Sequence, residues 1–339
     1  MTMQHVAVLG TGAWGTTFAQ ILANNGKTVI MWGRNSETVD FINSHENSQY
    51  LPGIELPESL TATTDLSSAV KGADLVAVAV PVAAIRSVLG QAQPYLSKNV
   101  VIVSLSKGLE LETHQTVHSI IKEATAVPLE RIAVLSGPNL SREIAEHHPT
   151  ATVVACEDVQ CAAKIAKACH NSYFRPYVST DVVGCEIAGA TKNVIAVAIG
   201  AAEGLGFGAN TRSTLITRGL AEMTRLGHQR GGRPSTFAGL AGIGDLAATC
   251  SSRLSRNYSF GYRLGQGATL EEALSMSPGV VEGMHSARPI LELARSVDVD
   301  MPITEGVVQV IHEGATVEEM GESLLSRPVK MDGWKIELV

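Results

Sequence analysis

The chain has 339 residues, 45% hydrophobic and only 17% charged, which describes a compact fold with a large core rather than a disordered segment. With aromatics at 4%, that core must be built from Ala, Val, Ile and Leu, which suits helices packed tightly on a sheet. A net charge of −7 argues against a general nucleic-acid or anionic-membrane surface, because those partners are held by clustered Lys and Arg. The five cysteines, Cys156, Cys161, Cys169, Cys185 and Cys250, form no C-x-x-C pair and fit buried thiols in a reducing compartment. The N-terminus shows no basic region followed by a long apolar stretch, and runs such as DLVAVAVPVAAI are too short to span a bilayer. A cytoplasmic protein without membrane insertion is expected.

The first half alternates between short β-branched runs and helical spacing. Strands are predicted at 5–10, 27–33, 73–80, 99–106 and 131–137, each nearly continuous in apolar residues, as in a parallel sheet covered on both faces. Helices are predicted at 13–24 and 82–92. Two further strands fall at 150–156 and 173–178, separated by a helix with Asp158 at its N-cap. After about Val182 the strand signals stop, and helices follow at 184–202, 210–226, 254–265, 284–297 and 304–313. We therefore expect an α/β fold: an N-terminal doubly wound, mostly parallel sheet at 1–182, then an all-α C-terminal domain at 183–339. With no linker between them, the helix from Gly184 should pack directly across the boundary.

The stretch VAVLGTGAWGTTFAQ sets Gly10, Gly12 and Gly15 in G-x-G-x-x-G register, directly after a strand and opening a helix. In that context the glycines read as a Rossmann-type dinucleotide turn: one for the tight bend, one for close approach of a pyrophosphate, one for helix packing on the strand. The next strand ends in MWGRNSE, where an NAD-specific site usually carries an acid on the ribose 2′-OH; here Arg34 stands, and no acid precedes Glu37. Arg34 suits a 2′-phosphate and hence NADPH, the plain alternative being a solvated surface arginine. Pro81, the SKG of Lys107, and the SGPN of Gly137 and Asn139 also lie just past strand C-termini, the edge along which open parallel sheets bind ligands.

Lys192 stands in GATKNVIAVAIGAAEG, with apolar neighbours on almost every side and no carboxylate one helical turn away. A mid-helix lysine ordinarily snorkels to water. Here its surroundings point instead to an internal cleft and to an amine tuned for proton transfer. Asp245, after the Gly242–Gly244 turn, reads as a partner for Lys192 or for a substrate hydroxyl. Ser255, Arg256 and Asn257 set three donors at a helix start, which suits a phosphate, and the loop 277–283 carries Glu282. Cys161 and Cys169 share the core face of a helix with Ile165, so neither they nor His170 suggest a metal site. His147 and His148 read as exposed. No phosphate-loop G-x-x-x-x-G-K-[ST] occurs.

Taken together, GTGAWGTTFA, SKGLE, SGPN, the long Lys192 segment, FAGLAGIGDLAATC, SRNYSFG, VVEG and MPITE resemble, in order, the bacterial NAD(P)-dependent glycerol-3-phosphate dehydrogenases. The resemblance runs from Val6 to about Glu305. It implies reversible reduction of dihydroxyacetone phosphate to sn-glycerol 3-phosphate for phospholipid synthesis, with NADPH or NADH as cofactor. It implies Lys192 as the catalytic acid and base, together with Lys107 and Asp245, and a substrate pocket of Lys107, Gly137, Asn139, Lys192, Asp245, Ser255, Arg256 and Asn257. For the cofactor it implies Gly10, Gly12, Ala13, Trp14, Gly15, Arg34, Lys107, Ser141, Arg256, Val280 and Glu282. Asn139 and Ser141 depart from the family's usual residues, a hydroxyl side chain and alanine respectively. Two rivals follow from the same residues: a related β-hydroxyacid dehydrogenase acting on a carboxylate, and an NADPH-binding sensor without chemistry. A helical second domain also suits a homodimer.

Overall fold

The computed structural model describes residues 3–277 and 279–327. The extreme ends of the two expected domains, 1–2 and 328–339, and Pro278 of the 277–283 loop lie outside the described residues. The strands in chain order are β1 (His5–Leu9), β2 (Thr28–Trp32), β3 (Glu46–Asn47), β4 (Leu51–Glu55), β5 (Leu60–Thr63), β6 (Leu75–Val78), β7 (Val101–Ser104), β8 (Ile132–Ser136), β9 (Thr150–Cys156) and β10 (Phe174–Ser179). Among them run the helices α1 (Ala13–Asn24), α2 (Ser36–Asn43), α3 (Leu66–Val70), α4 (Val82–Ala92), α5 (Val117–Thr125), α6 (Ser141–Ala145) and α7 (Val159–Cys169). From Val182 onward the described chain is helical: α8 (Val182–Gly204), α9 (Ala209–Gln229), α10 (Pro234–Phe237), α11 (Asp245–Ser251), α12 (Arg256–Gly265), α13 (Leu270–Ser275), α14 (Glu282–Ser296), α15 (Pro302–His312) and α16 (Val317–Leu325).

Eight strands form one sheet in the order β10-β9-β8-β7-β6-β1-β2-β5, parallel throughout except where β9 runs against β8. The chain builds outward from β1 through β2 to β5, then returns to β6 on the other side of β1. The crevice outside the C-terminal ends of β1 and β6 is therefore the switch point at which such sheets take ligands. Central strands such as β6 are buried along their whole length, which is why they read as unbroken apolar runs. Asp158 caps α7 by accepting from Gln160 N at 2.9 Å, as its sequence position predicts.

Three features differ from the sequence reading. The 46–55 segment forms a hairpin, β3 with β4, and β5 adds an edge strand; both are too short and too polar to carry an apolar signature. The Gly242–Gly244 turn is instead part of a π-helix, Leu240–Gly244, that runs straight into α11. Finally, α8 is long and apolar enough to cross a membrane by length and composition, a stretch the apolar-run reading passed over. It is buried almost entirely inside the protein, as the central helix of the C-terminal core.

Glycines set how closely α8 meets α12. A Cβ on Gly200 would fall 2.1 Å from the Tyr258 carbonyl oxygen, and one on Gly261 would fall 2.0 Å from that of Val197. The two backbones are therefore in direct contact, which fixes the start of α12 against the middle of α8. Gly200→Ala should lower the midpoint of urea unfolding, at a cost of about 3 kcal/mol or more from overpacking. Gly90→Ala, on an open face of α4, should leave the midpoint unchanged or raise it by the equivalent of about 0.5–1 kcal/mol. Equal midpoints for both variants would contradict the close approach.

Candidate active site

The glycine turn closes the end of β1. Gly10 adopts φ +120°, and a Cβ there would strike the Ala79 carbonyl oxygen at 2.8 Å, just past β6. Gly15 sits so close to Gly10 that a Cβ would lie 2.3 Å from the Gly10 oxygen. Gly12 is the opposite case: a Cβ there would meet nothing within 4 Å, and the N-terminus of α1 has no side-chain cap. An uncapped helix N-terminus behind open space fits a pyrophosphate, which its N–H groups and partial positive charge would hold. Ala13 and Trp14 form the first turn of α1, and Trp14 Nε1 is buried without a hydrogen-bond partner. Arg34 follows β2 at the surface, with no hydrogen bond or ion pair among the described residues. Its neighbour Gly33 packs on Thr11 of the turn.

One bridged cluster of charges lies at the base of the cleft. Lys192, from the middle of α8, is only 7% exposed, and its Nζ donates to Asp245 Oδ1 and Thr249 Oγ1, both at 2.7 Å. Lys107, from the loop after β7, donates to the other Asp245 oxygen at 2.5 Å and to the Gly137 carbonyl at 3.1 Å. Asp245 is 1% exposed and so joins an ammonium of the sheet half to one of the helical half. Burial pushes the Lys107 amine down to about 8, against the raising effect of Asp245. Burial also acts to raise Asp245, yet the two lysines prevail and hold it below the usual carboxylate range. Each ammonium carries three donors, so each keeps one beyond the two bonds named here.

Of the remaining sequence candidates, Gly137 touches this cluster directly. Gly137 adopts φ +141°, and a Cβ there would press on the Thr152 backbone at 3.1 Å, so its carbonyl is held towards Lys107. Asn139 follows it, with both amide atoms buried and unpaired, and Ser141 opens α6, where its carbonyl accepts from Thr17 Oγ1. Buried polar atoms without partners are rare, so the orphaned groups of Asn139 and Trp14 fit a polar ligand between the sheet edge and the helices. Arg256 opens α12 behind Ser255, whose hydroxyl caps that helix by accepting from Tyr258 N at 3.3 Å. Glu282 opens α14 after Val280 and Val281; burial raises its carboxyl to about 7, with Arg256 acting to lower it.

Asn257 has a packing role beside the donor role expected of it, since its amide nitrogen carries two N–H groups and only one is given to another residue here. Its amide gives to Asn193 Oδ1 and accepts from Gly283 N, both at 2.9 Å, and so ties α8, α12 and α14 together. Sequence reasoning also missed three groups. Thr249 lies one turn after Asp245 on α11, a spacing that could have flagged it as sharing that face. Asn193 is the neighbour of Lys192. Asn47, fully buried on the hairpin, donates to Thr11 O at 3.0 Å and Thr16 Oγ1 at 2.8 Å, tying the hairpin to the glycine turn.

Comparison with known proteins covers nearly the whole chain. The N-terminal family description, NAD-dependent glycerol-3-phosphate dehydrogenase N-terminus, matches residues 5–162, and its C-terminal counterpart matches residues 181–322. The chain belongs to the NAD-dependent glycerol-3-phosphate dehydrogenase family. It is 53% identical over 325 residues to a glycerol-3-phosphate dehydrogenase [NAD(P)+] of Streptomyces griseus, covering 96% of this chain and 97% of the relative. A Corynebacterium aurimucosum protein of the same description is 51% identical over 332 residues, covering 97% of this chain and all of that one. The crystal structure of glycerol-3-phosphate dehydrogenase from Coxiella burnetii superposes with a TM-score of 0.92 at 35% identity, over 96% of this chain and 100% of that one. As a member of this family the protein is an NAD(P)-dependent oxidoreductase.

The position of Lys107 has a consequence for binding. It is cationic below about pH 8 and loses its charge above, so affinity for an anionic ligand should weaken as pH rises through that value. At pH 9 about one tenth of Lys107 remains charged, and the Kd for a phosphorylated substrate should rise by up to about tenfold from pH 7. Lys107→Met should bind weakly at both pH values. A wild-type Kd that stays flat from pH 7 to 9 would contradict the placement.

Proposed function

We propose that the protein catalyses the reversible NAD(P)H-dependent reduction of dihydroxyacetone phosphate to sn-glycerol 3-phosphate, with Lys192 as the general acid. The observation that carries this reading is the buried Lys192–Asp245–Lys107 bridge at the C-terminal edge of the sheet, beside the loops after β7 and β8. When bound, the reduced nicotinamide supplies a hydride to the carbonyl carbon. Lys192 gives a proton from Nζ to the carbonyl oxygen, and in the reverse direction its neutral amine takes the hydroxyl proton. Asp245 and Thr249 fix the direction of that nitrogen, since two of its three N–H bonds are already committed. Lys107 serves both substrate and cofactor. Arg256 and the N-terminus of α12, with Ser255, receive the phosphate, and Gly137 and Asn139 line the substrate.

Gly10, Gly12, Ala13, Trp14 and Gly15 hold the pyrophosphate side of the cofactor, and Ser141, Val280 and Glu282 border it. Arg34, free at the surface beside the turn, suits the 2′-phosphate of NADPH. Asn257 holds α12 against α8 and α14, and its second amide N–H is available to the substrate phosphate beside Ser255 and Arg256. The phosphate-receiving cluster at α12 favours this reading over a carboxylate-specific β-hydroxyacid dehydrogenase. A cytoplasmic setting is supported by five buried thiols, and supply of glycerophospholipid synthesis follows from the product. Assembly as a homodimer through the helical half completes the reading.

Oxidation of NADPH should proceed with dihydroxyacetone phosphate and far more slowly with unphosphorylated dihydroxyacetone. Lys192→Ala should cut turnover by roughly 10²–10⁴ while leaving the Kd for NADPH intact. Near-normal turnover in that variant, measured by absorbance of the reduced nicotinamide, would remove Lys192 from the reaction.

A further inference from the structure

Two ionisable groups close to the site, one buried and one half-buried, have no part in the chemistry above. Glu186 lies on α8 and is 8% exposed. One of its carboxylate oxygens accepts from His118 N at 2.8 Å, and the other pairs with His118 Nδ1, which also lies 3.0 Å from Thr116 Oγ1. His118, on α5, keeps 12% of its side chain exposed and feels Glu157 and Lys122 at the surface. Burial acts to lower its pKa, but Glu186 outweighs this and leaves it above the ordinary histidine value. The pair therefore connects solvent to the protein interior.

Inside, Glu186 borders a small cavity shared with Ser106, Lys107, Ser136 and Cys185. Ser136 Oγ is buried with no hydrogen-bond partner. It converges with the Lys107 stem on α8, where a Cβ at Gly189 would lie 3.2 Å from Ser136 Oγ and 3.3 Å from Lys107 Cγ. A hydroxyl and a carboxylate residue line this cavity with the Lys107 stem beside them, and a water there would find polar partners in Ser136 and Glu186. The charged and titratable groups facing Lys107 are Asp245, Lys192 and Cys185; burial raises Cys185 to well above its ordinary value, so it stays a neutral thiol.

On that reading each ketone reduced removes one proton from Lys192, which is only 7% exposed and has little direct contact with solvent to regain it. We infer that the Glu186–His118 pair returns this proton from solvent to Lys192, through the cavity, Lys107 and Asp245. The inference rests on the reading of Lys192 as general acid. Lys192 yields a proton to the carbonyl oxygen and becomes a neutral amine. Asp245 takes a proton from Lys107 and passes it to Lys192, restoring the ammonium. Lys107 is recharged by the water at Ser136, and that water by Glu186 and His118, so one proton enters from bulk for each ketone reduced. No further oxidant or reductant is needed. Glu186 and His118 touch no reacting atom and are positioning residues in a relay.

The test uses the full-length enzyme with dihydroxyacetone phosphate and NADPH. Glu186→Gln keeps the shape and removes the carriage of a proton. At pH 8 it should lower kcat by about tenfold and enlarge the solvent deuterium isotope effect, with KM and NADPH affinity little changed. Added imidazole should restore part of the rate. Ser136→Val, which fills the cavity with an apolar group and keeps the Glu186–His118 pair, should behave alike and decides the matter if Glu186→Gln fails to fold. A wild-type pH profile and isotope effect in a folded variant would overturn the relay. A loss of kcat that is uniform across pH and indifferent to imidazole would do the same, since that is what a purely structural role produces. Should the relay fall while Lys192→Ala remains inactive, the general-acid reading stands.

Discussion

Asp245 is the group on which the rest of the site depends. Taking an ion out of water costs several kcal/mol even after relaxation, and here two ammonium groups and one carboxylate are buried within a few ångströms. A lone ammonium in either position would be costly to bury. With one carboxylate oxygen given to each, the two lysines share a single counter-charge, and the trio carries a net positive charge. A chain of net charge −7 thus holds a small dry cationic site, which a phosphorylated substrate completes electrostatically.

The same bridge makes the site a property of the whole molecule. Lys107 follows a strand of the sheet, whereas Lys192, Asp245 and Thr249 come from the helical half. Their distances hold only if the halves are packed in register. Leu109, two residues past Lys107, is buried in the helical core, and Glu186 of α8 reaches back to the start of α5. On the other side, the α8–α12 backbone contact at Gly200 and Gly261 sets Arg256 against the cleft, and the amide of Asn257 links that start to α8 and α14. Small residues along α8 therefore have a functional consequence. They allow the approach that brings the start of α12 against the middle of α8.

Much of this was legible in the sequence. A lysine in a helix otherwise almost wholly apolar is a physical anomaly, and the anomaly resolves as burial beside a carboxylate from another helix. The glycine turn was legible because each glycine has its own steric reason, visible in the contacts of Gly10 and Gly15 and in the open space at Gly12. Thr249 was not, since one threonine on a short helix looks like any other until its partner is placed. The β3–β4 hairpin was missed because its strands are too short for a period-2 pattern, and Asn47 matters only through a contact with Thr11. Asn257 shows a second limit: a donor read from its place in a motif also joins three helices, a packing role its sequence position did not reveal. The span of α8 was passed over because Glu186 and Lys192 interrupt its apolar run, and those two residues are the ones its burial makes significant.

The most direct measurement of the central claim is a double-mutant cycle on turnover, comparing Asp245→Asn, Lys192→Ala and the double variant with the wild type. If the carboxylate acts by holding the lysine in its charged, directed state, the double variant should lose no more than the more impaired single variant. Losses that multiply in the double variant would mean that the two groups act independently, and the bridge would not be the origin of the activity.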